Sequence, residues 1–389
     1  MSSPGSPAVL RSRRYRVAVF TATHLDFGKG IAEGVLEFAR RRPAWDIVLV
    51  APVGELARLQ PGRDRLEGII GHLARGFDPA VLRSIGACSV GVSNLCAGPF
   101  PVPRILNDDR RTGALAAEHL LERDFRRFVY LGIDGHNYST EREAGFRERL
   151  ADGGATLHAV PAGLETWGGR LLPAVRDWLA GLPKPVGVFA ANDFLATKFM
   201  RRVLDAGWQV PEDVAILGVD NERIQCAVSP VALSSVALDT ARMGFLAAER
   251  LDRLMAGARD PGGDTLVPPK GVVARASSDA VAVTDPFLRQ VHRYIRDHLH
   301  EGIGIAEIAR AVNASRRTLE RRFLDARGTT PYRELTLARV RRAKDLLANT
   351  DESVEAIASE TGFSEARFLT QNFKKAVGMT PSAFRRRRG

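Results

Sequence analysis

Cysteine is scarce in this chain of 389 residues: Cys88, Cys96 and Cys226 are the whole set. Three scattered thiols without metal-ligand spacing argue against a disulfide framework and a zinc site, and reduced thiols in a cytoplasmic protein are the expectation. The eight histidines show no pair at metal spacing, so no metal is expected. No apolar run reaches eighteen residues, which speaks against a membrane-spanning helix and a membrane partner. The opening MSSPGSPAVLRSRR carries small and basic residues but no apolar core for a signal peptide. Phosphate-cradling glycine motifs are missing as well. There is no Walker sequence, and GKGIAEG (Gly28, Gly30 and Gly34 among its glycines) is not G-x-G-x-x-G, so no nucleotide cofactor is expected. What remains is an ordinary globular composition, 45% hydrophobic and 26% charged, long enough for two or three domains.

The last hundred residues carry one pattern twice. IAEIARAVNASRRTLERRFLDARGTTP (Ile305–Pro331) is answered by VEAIASETGFSEARFLTQNFKKAVGMTP (Val354–Pro381). Ile308-Ala309 matches Ile357-Ala358 at a spacing of 49, while Phe323 matches Phe373 and Thr330-Pro331 matches Thr380-Pro381 at 50. Each copy reads as a helix-turn-helix. Ile305, Ile308, Ala309 and Val312 form one apolar stripe. Asn313 and Gly362 tolerate the left-handed backbone of a tight turn. Ser315 and Ser364 are the expected N-caps of the second helices, Arg316–Ala326 and Glu365–Val377. Leu319 and Phe323, or Leu369 and Phe373, face inward. Arg316, Arg317, Arg321 and Arg322 in copy one, and Arg367, Thr370, Gln371 and Lys374 in copy two, face out. Gly328 and Gly378 stop the helices.

Charge is concentrated in the same place. From Pro286 to Gly389 there are 21 Lys and Arg against 12 Asp and Glu, nine of the chain's net eleven positive charges. A small basic domain with paired helix-turn-helix units has the electrostatic footprint of double-stranded DNA binding. The closing Arg385–Arg388 run reads as a phosphate-contacting or solvated tail.

Phe287–Arg387, with its paired turn-Ser-helix units, long joining helix (Tyr332–Leu347) and closing GMTPSAFR, resembles the AraC family of transcription regulators. The resemblance implies that each second helix lies in the major groove. Arg317 and Arg321, with Arg367, Thr370 and Gln371, would then reach base edges beside Arg316. The arginine fork suits guanine and glutamine suits adenine. Glu320 shares that face, where it either accepts from cytosine or braces an arginine.

The first 285 residues alternate strand and helix. Expected strands are Tyr15–Ala22, WDIVLVAP, Gly68–Leu73, Cys88–Ser93, Arg127–Ile133, Ala155–Val160, Pro185–Ala191 and Asp213–Val219. Helices are expected at Gly30–Arg41, Arg111–Arg123, Ser139–Ala151, Gly169–Ala180 and Phe194–Ala206. Such alternation implies parallel sheets covered on both faces, and about ten strands suggest two similar lobes. Ligands then bind beyond the carboxyl ends of the strands. Those positions are polar: His24 and Asp26 after the first strand, Asn107-Asp108-Asp109 before a helix, Asp134 to Arg142, Asn192-Asp193 and Asp220-Asn221. Carboxylates and a guanidinium can each span two adjacent sugar hydroxyls, and Phe27, Trp167 or Phe194 could cover a pyranose face. For Asp108 and Asn192 the competing reading is a helix N-cap.

ANDFLA, GVDNE, TEREAGF and VALSSVALDTARMG make Tyr15 to about Ser278 similar to the effector domain of LacI-type repressors, a relative of periplasmic sugar-binding proteins. By that resemblance Arg142, Asp220 and Asn192-Asp193 contact a sugar. In contrast to LacI-type repressors, the stretch before Tyr15 is too short for their N-terminal helix-turn-helix, and the DNA-binding part is expected at the C-terminal side instead. The implied architecture is an α/β two-lobed periplasmic-binding-protein-like domain (15–278) after a tail (1–14). A linker (279–286) then leads to an all-α AraC-type domain with two helix-turn-helix units (287–389). The combination, with STEREAGFR, GLETW, RDWLAGLP, LVPP and TDP, resembles the bacterial regulators of xylose operons. It implies a homodimeric activator answering to a monosaccharide, D-xylose, that closes the two lobes. The THLDFGKG loop would decide between xylose and another carbohydrate. A sugar- or DNA-acting enzyme is the distant alternative, and no nucleophile–base pair supports it.

Overall fold

The computed structural model describes residues 14–42, 44–50, 66–72, 87–95, 98, 101–151, 154–160, 173–260 and 262–386. Cys96, Trp167, GLETW and the N-terminal tail lie outside them. In chain order the elements begin β1 (Tyr15–Phe20), α1 (Asp26–Arg40), β2 (Trp45–Leu49), β3 (Gly68–Gly71), β4 (Cys88–Gly91) and β5 (Arg104–Asn107). There follow α2 (Asp109–Leu121), β6 (Arg127–Leu131), α3 (Asn137–Ala151), β7 (Thr156–His158), α4 (Pro173–Gly181), β8 (Val186–Ala190), α5 (Asp193–Asp205) and β9 (Val214–Val219). The sensor part closes with α6 (Arg223–Val228), β10 (Ser234–Ala237), α7 (Thr240–Met255), β11 (Asp264–Val267) and β12 (Gly271–Val273).

The chain forms two compact units. One takes in Met1–Asp108, Gly135–Tyr138 and Asp239–Val267; the other takes in Asp109–Asp134, Ser139–Leu238 and Pro268–Gly389. The first contains a parallel six-stranded sheet, β11-β5-β4-β3-β1-β2. Its core is Val17, Val19, Ile31, Val35, Ile70, Val90, Ile105 and Leu251 among others. The second contains β12-β10-β9-β8-β6-β7, parallel except for the antiparallel edge pair of β12 with β10. VGVFA and VAILGV in β8 and β9 are buried along their whole length, as unbroken apolar runs in a doubly covered parallel sheet should be.

Strands β5, β10, β11 and β12 go beyond the sequence reading, and α7 was likewise not foreseen. Strand β11 is seated on β5 in register Asp264↔Arg104, where Arg104 Nε donates to Asp264 at 2.9 Å. One helix also begins away from its expected start, α1 at Asp26, four residues early; the expected start of the helix Gly169–Ala180 lies outside the described residues.

The rest of the second unit is helical: α8 (Pro286–His298), α9 (Ile305–Ala311), α10 (Arg316–Arg327), α11 (Pro331–Asn349), α12 (Val354–Glu360), α13 (Ala366–Val377) and α14 (Pro381–Arg386). Ile308, Ala309, Val312, Leu319 and Phe323 pack with Leu335 of α11. Ile357, Ala358, Leu369 and Phe373 pack with Val340, Ala343, Leu346 and Leu347 of the same helix. One helix of 19 residues, about 28 Å at 1.5 Å per residue, therefore belongs to both cores.

Asn313 (φ 50°) and Gly362 (φ 72°) take the left-handed turn conformation, and Gly328 and Gly378 take it at the helix ends. Ser315 caps α10 by accepting the Thr318 N–H. Ser364 does not cap α13. Glu365 occupies that place, without a side-chain cap bond. The reason lies in the spacing, 49 up to the turn and 50 from the helix onward. The second copy holds one extra residue, and the turn absorbs it.

Candidate functional site

Helices α2 and α3 touch without side chains between them. A Cβ on Gly113 would sit 2.0 Å from the Arg142 carbonyl oxygen, and one on Gly145 would sit 1.9 Å from that of Arg110. This crossing sets Asp109, the first residue of α2, against Arg142 of α3. Arg142 Nε donates to Asp109 Oδ1 at 2.8 Å, with the two side chains 3% and 1% exposed. Its Nη1 donates to the carbonyl of Ala191, just past β8, and its Nη2 lies 3.9 Å from Asp220 Oδ1. Asp193 opens α5, and its Oδ2 accepts from the Glu222 N–H at 2.8 Å and from Cys226 Sγ at 3.5 Å. The structure thus brings Arg142, Asp109, Asp193 and Asp220 together at the carboxyl ends of the second sheet.

Carboxylates buried this close together cannot all stay ionised beside a single guanidinium. Burial first, and the neighbouring Asp220 second, push Asp193 up to about 8. Burial likewise lifts Asp220 to about 7, against the pull of Arg142. Burial works against the Arg142 charge, but Asp109 and Asp220 outweigh it and raise its value. The cluster has no positive surplus to offer an anion. A neutral polyol, which donates hydroxyls to carboxylates and accepts from a guanidinium, fits it better.

The corner after β9 is strained. Asp220 (φ 101°) and Asn221 (φ 54°) are consecutive non-glycine residues in the left-handed region, each costing about 1–3 kcal/mol. Asn192 is occupied as a helix cap, its Oδ1 accepting the Leu195 N–H at 2.8 Å. Phe194 stays 59% exposed beneath the Lys198 ammonium.

In the first unit, His24 is exposed on the loop after β1, and Asp26 pairs with Lys29 at 3.0 Å. Asp108 donates its N–H to the Val267 carbonyl, so the acid that meets Arg142 is its neighbour Asp109. His72 was read as part of a strand but follows β3, the neighbour of β1. It stacks on Phe27 at 5.3 Å and accepts the Ala22 N–H on Nδ1 at 3.4 Å; burial lowers it to about 4. Its place directly after a strand was the signal that could have singled it out.

The outward faces of α10 and α13 are open. Arg317 and Arg321 lie one turn apart and exposed; Arg367 and Gln371 are exposed, with Thr370 half-buried beside them. Arg316 Nε bonds Glu320 at 2.8 Å, so that acid braces an arginine. Arg322 turns back over the Phe287 ring at 4.5 Å and 3.6 Å from Asp285, and so leaves the outward face expected for it. Arg385 donates to the Glu352 carbonyl. Among the described residues no group of His, Cys, Asp and Glu could hold a metal ion, and no helix is long and apolar enough to cross a membrane.

Residues 117–278 match the model of a periplasmic binding protein-like domain, and residues 308–387 match that of a helix-turn-helix domain. Over 385 residues the chain is 30% identical to the xylose operon regulatory protein of Escherichia coli (strain K12), covering 96% of this chain and 97% of that one. The chain belongs to the xylose operon regulatory protein family. The relative from Haemophilus influenzae is 26% identical, with 95% of this chain and 98% of that one covered. A solved structure titled as a xylose-binding transcription activator superposes with a TM-score of 0.61 at 29% identity, covering 96% of this chain and 98% of that one. The regulator is a sugar-responsive, DNA-binding controller of transcription, with a LacI-type α/β sensor ahead of an AraC-type head.

Two outcomes follow from this geometry. Asp193 and Asp220 keep protons that the unfolded chain has released by neutral pH, so stability falls as pH rises from about 7 to about 8. The limit is about 1.4 kcal/mol per pH unit for each group. His72, His119 and His292, all lowered by burial, are neutral when folded and mostly neutral in the unfolded chain above pH 7, so their opposing effect is smaller than that of the acids there. Urea denaturation at the two ends of the window reads the slope, and Asp193→Asn flattens it; a parental stability that rises with pH contradicts the assignment. On the head, Arg321→Ala weakens a preferred duplex by about 1–3 kcal/mol and relaxes one base position. Competition against duplexes varied at each position reads both effects.

Proposed function

We propose that this regulator binds D-xylose in the cytoplasm and, as a homodimer, activates sugar-catabolic genes without catalysing a reaction or holding a cofactor. Residues 15–278 form the sensor, 279–286 the joint and 287–389 the DNA reader. The carrying observation is the buried Arg142–Asp109 pair beside Asp193 and Asp220, an arrangement of acceptors and donors suited to a neutral polyol. Asp108, Asn192, His24 and Asp26 are further proposed sugar contacts. The relatives' names, xylose operon regulatory protein and xylose-binding transcription activator, support xylose as the sugar.

The reader's contacts are Arg316, Arg317, Arg321, Arg367, Thr370 and Gln371. Paired readers on duplicated half-sites favour a dimer. The described thiols fit a non-enzyme: burial raises Cys88, and Cys226 is raised by burial and by Asp193, so neither is an activated nucleophile.

A thermal-shift panel tests the sugar. D-xylose at a hundred times its Kd stabilises the folded protein by about 2.7 kcal/mol, whereas arabinose, ribose and glucose leave the melting temperature unmoved. Arg142→Ala and the milder Asp220→Asn abolish the xylose shift yet keep affinity for DNA. A xylose shift that survives both substitutions places the sugar elsewhere, and a shift by another sugar alone reassigns the effector.

A further inference from the structure

A continuous polar chain, buried at its centre and half-buried at Asn221, Arg275 and Asp345, crosses the second unit from the strained Asp220–Asn221 corner to the DNA reader. Asn221 donates its N–H to Ser235 Oγ at 2.9 Å, and its Oδ1 accepts from Arg275 Nη2 at 2.7 Å. The Arg275 N–H donates to Ser234 Oγ at 2.8 Å, and Ser278 Oγ donates to the same oxygen at 2.7 Å. Ser278 Oγ lies 2.7 Å from His119 Nε2, and His119 Nδ1 lies 3.1 Å from Arg123 Nη1. Arg123 Nη2 then reaches Asp345 Oδ2 of α11 at 3.2 Å.

The direction of these bonds is determined. A guanidinium only donates, so His119 Nδ1 accepts, Nε2 carries the proton, and Ser278 accepts from it before donating to Ser234. Ser234, Ser277 and Ser278 are 0% exposed, Arg123 3% and His119 5%. Burying such groups is unfavourable unless each is satisfied, and a fully satisfied network is stiff. Its far end is the helix shared by both reader cores. Lys344 also pairs with Glu122, and Asn349 Nδ2 donates to the Val272 carbonyl at 2.9 Å, so α11 has further polar contacts on either side of Asp345.

We propose that His119 and Arg123 are positioning residues that couple the Asp220–Asn221 corner to α11, and through α11 to both recognition helices. The proposal rests on Asp220 being an effector contact. When a ligand hydroxyl engages Asp220, the corner shifts, Arg275 and the serines follow, and the Arg123–Asp345 bond re-aims the reader.

The test uses the full chain and a duplex selected by that chain from a random-sequence pool. In the parent, saturating D-xylose changes the duplex Kd by about fivefold or more. Arg123→Met and Asp345→Asn each bring the ratio under about twofold, and the double variant changes it no further. The D-xylose Kd of the free protein stays at the parental value. His119→Gln, whose amide can still accept from Arg123 and donate to Ser278, keeps the parental ratio. Retention of the ratio by Arg123→Met and Asp345→Asn, or a parallel loss of sugar affinity, overturns the proposal.

A parental ratio of one overturns the sugar reading instead, and hydrogen exchange then decides the coupling without sugar. Asn221→Ala speeds exchange of the Asp345–Asn349 amides in the parent background but not beside Arg123→Met. Unchanged exchange in both backgrounds refutes the coupling.

Discussion

One guanidinium is outnumbered by carboxylates in a place water barely reaches, and the sensor is built around that imbalance. Arg142 holds Asp109 through a bond of 2.8 Å between side chains almost wholly withdrawn from solvent. It can do so because Gly113 and Gly145 let two helices meet backbone to backbone. Its hold on the Ala191 carbonyl fixes the end of β8, and Asp220 lies near enough to share the charge. Losing one partner of such a pair costs about 3–5 kcal/mol, because the other is left charged and buried. The surplus of acids is tolerated by retaining protons rather than by adding cations. A site made this way repels anions and welcomes hydroxyls.

The head solves a different problem, that of presenting two similar readers at a fixed spacing. Packing Leu335 into one core and Val340 to Leu347 into the other makes α11 a common spine. Small departures from the duplication fall where they do least harm. The extra residue of copy two is taken up in the turn, so the inward Leu369 and Phe373 keep the register of Leu319 and Phe323. Charge on the outward faces is partly organised within the head, by Glu320 on Arg316 and Glu365 on Arg367. Such exposed pairs are worth little to stability and leave the arginines free to exchange partners for bases.

The repeat, the basic surplus and the long apolar strands were legible because each is a property of spacing or composition. Among the elements that escaped, one is a strand whose burial is polar. Strand β10 reads SSVA, and its two serines are fully buried only because Arg275, Ser277 and Ser278 satisfy or surround them. Strands β11 and β12 are edge strands of four and three residues, exposed or half-buried along most of their length, so they carry no buried apolar run. The acid that pairs with Arg142 could be narrowed to Asn107-Asp108-Asp109, but choosing Asp109 needs the direction in which α2 starts. His72 was hidden by a strand boundary drawn two residues too long.

Polar residues buried in sequence-distant places, such as His119, Arg123 and Ser278, leave no periodic trace, yet they join sensor to reader. A regulator needs an effector whose affinity depends on whether DNA is bound, because linkage makes that dependence reciprocal. Calorimetric titration of D-xylose into the free protein, and into the protein saturated with its selected duplex, measures this most directly. The account predicts two different dissociation constants, whose ratio equals the factor by which xylose alters DNA affinity. Identical constants, or no binding heat in either titration, would contradict it.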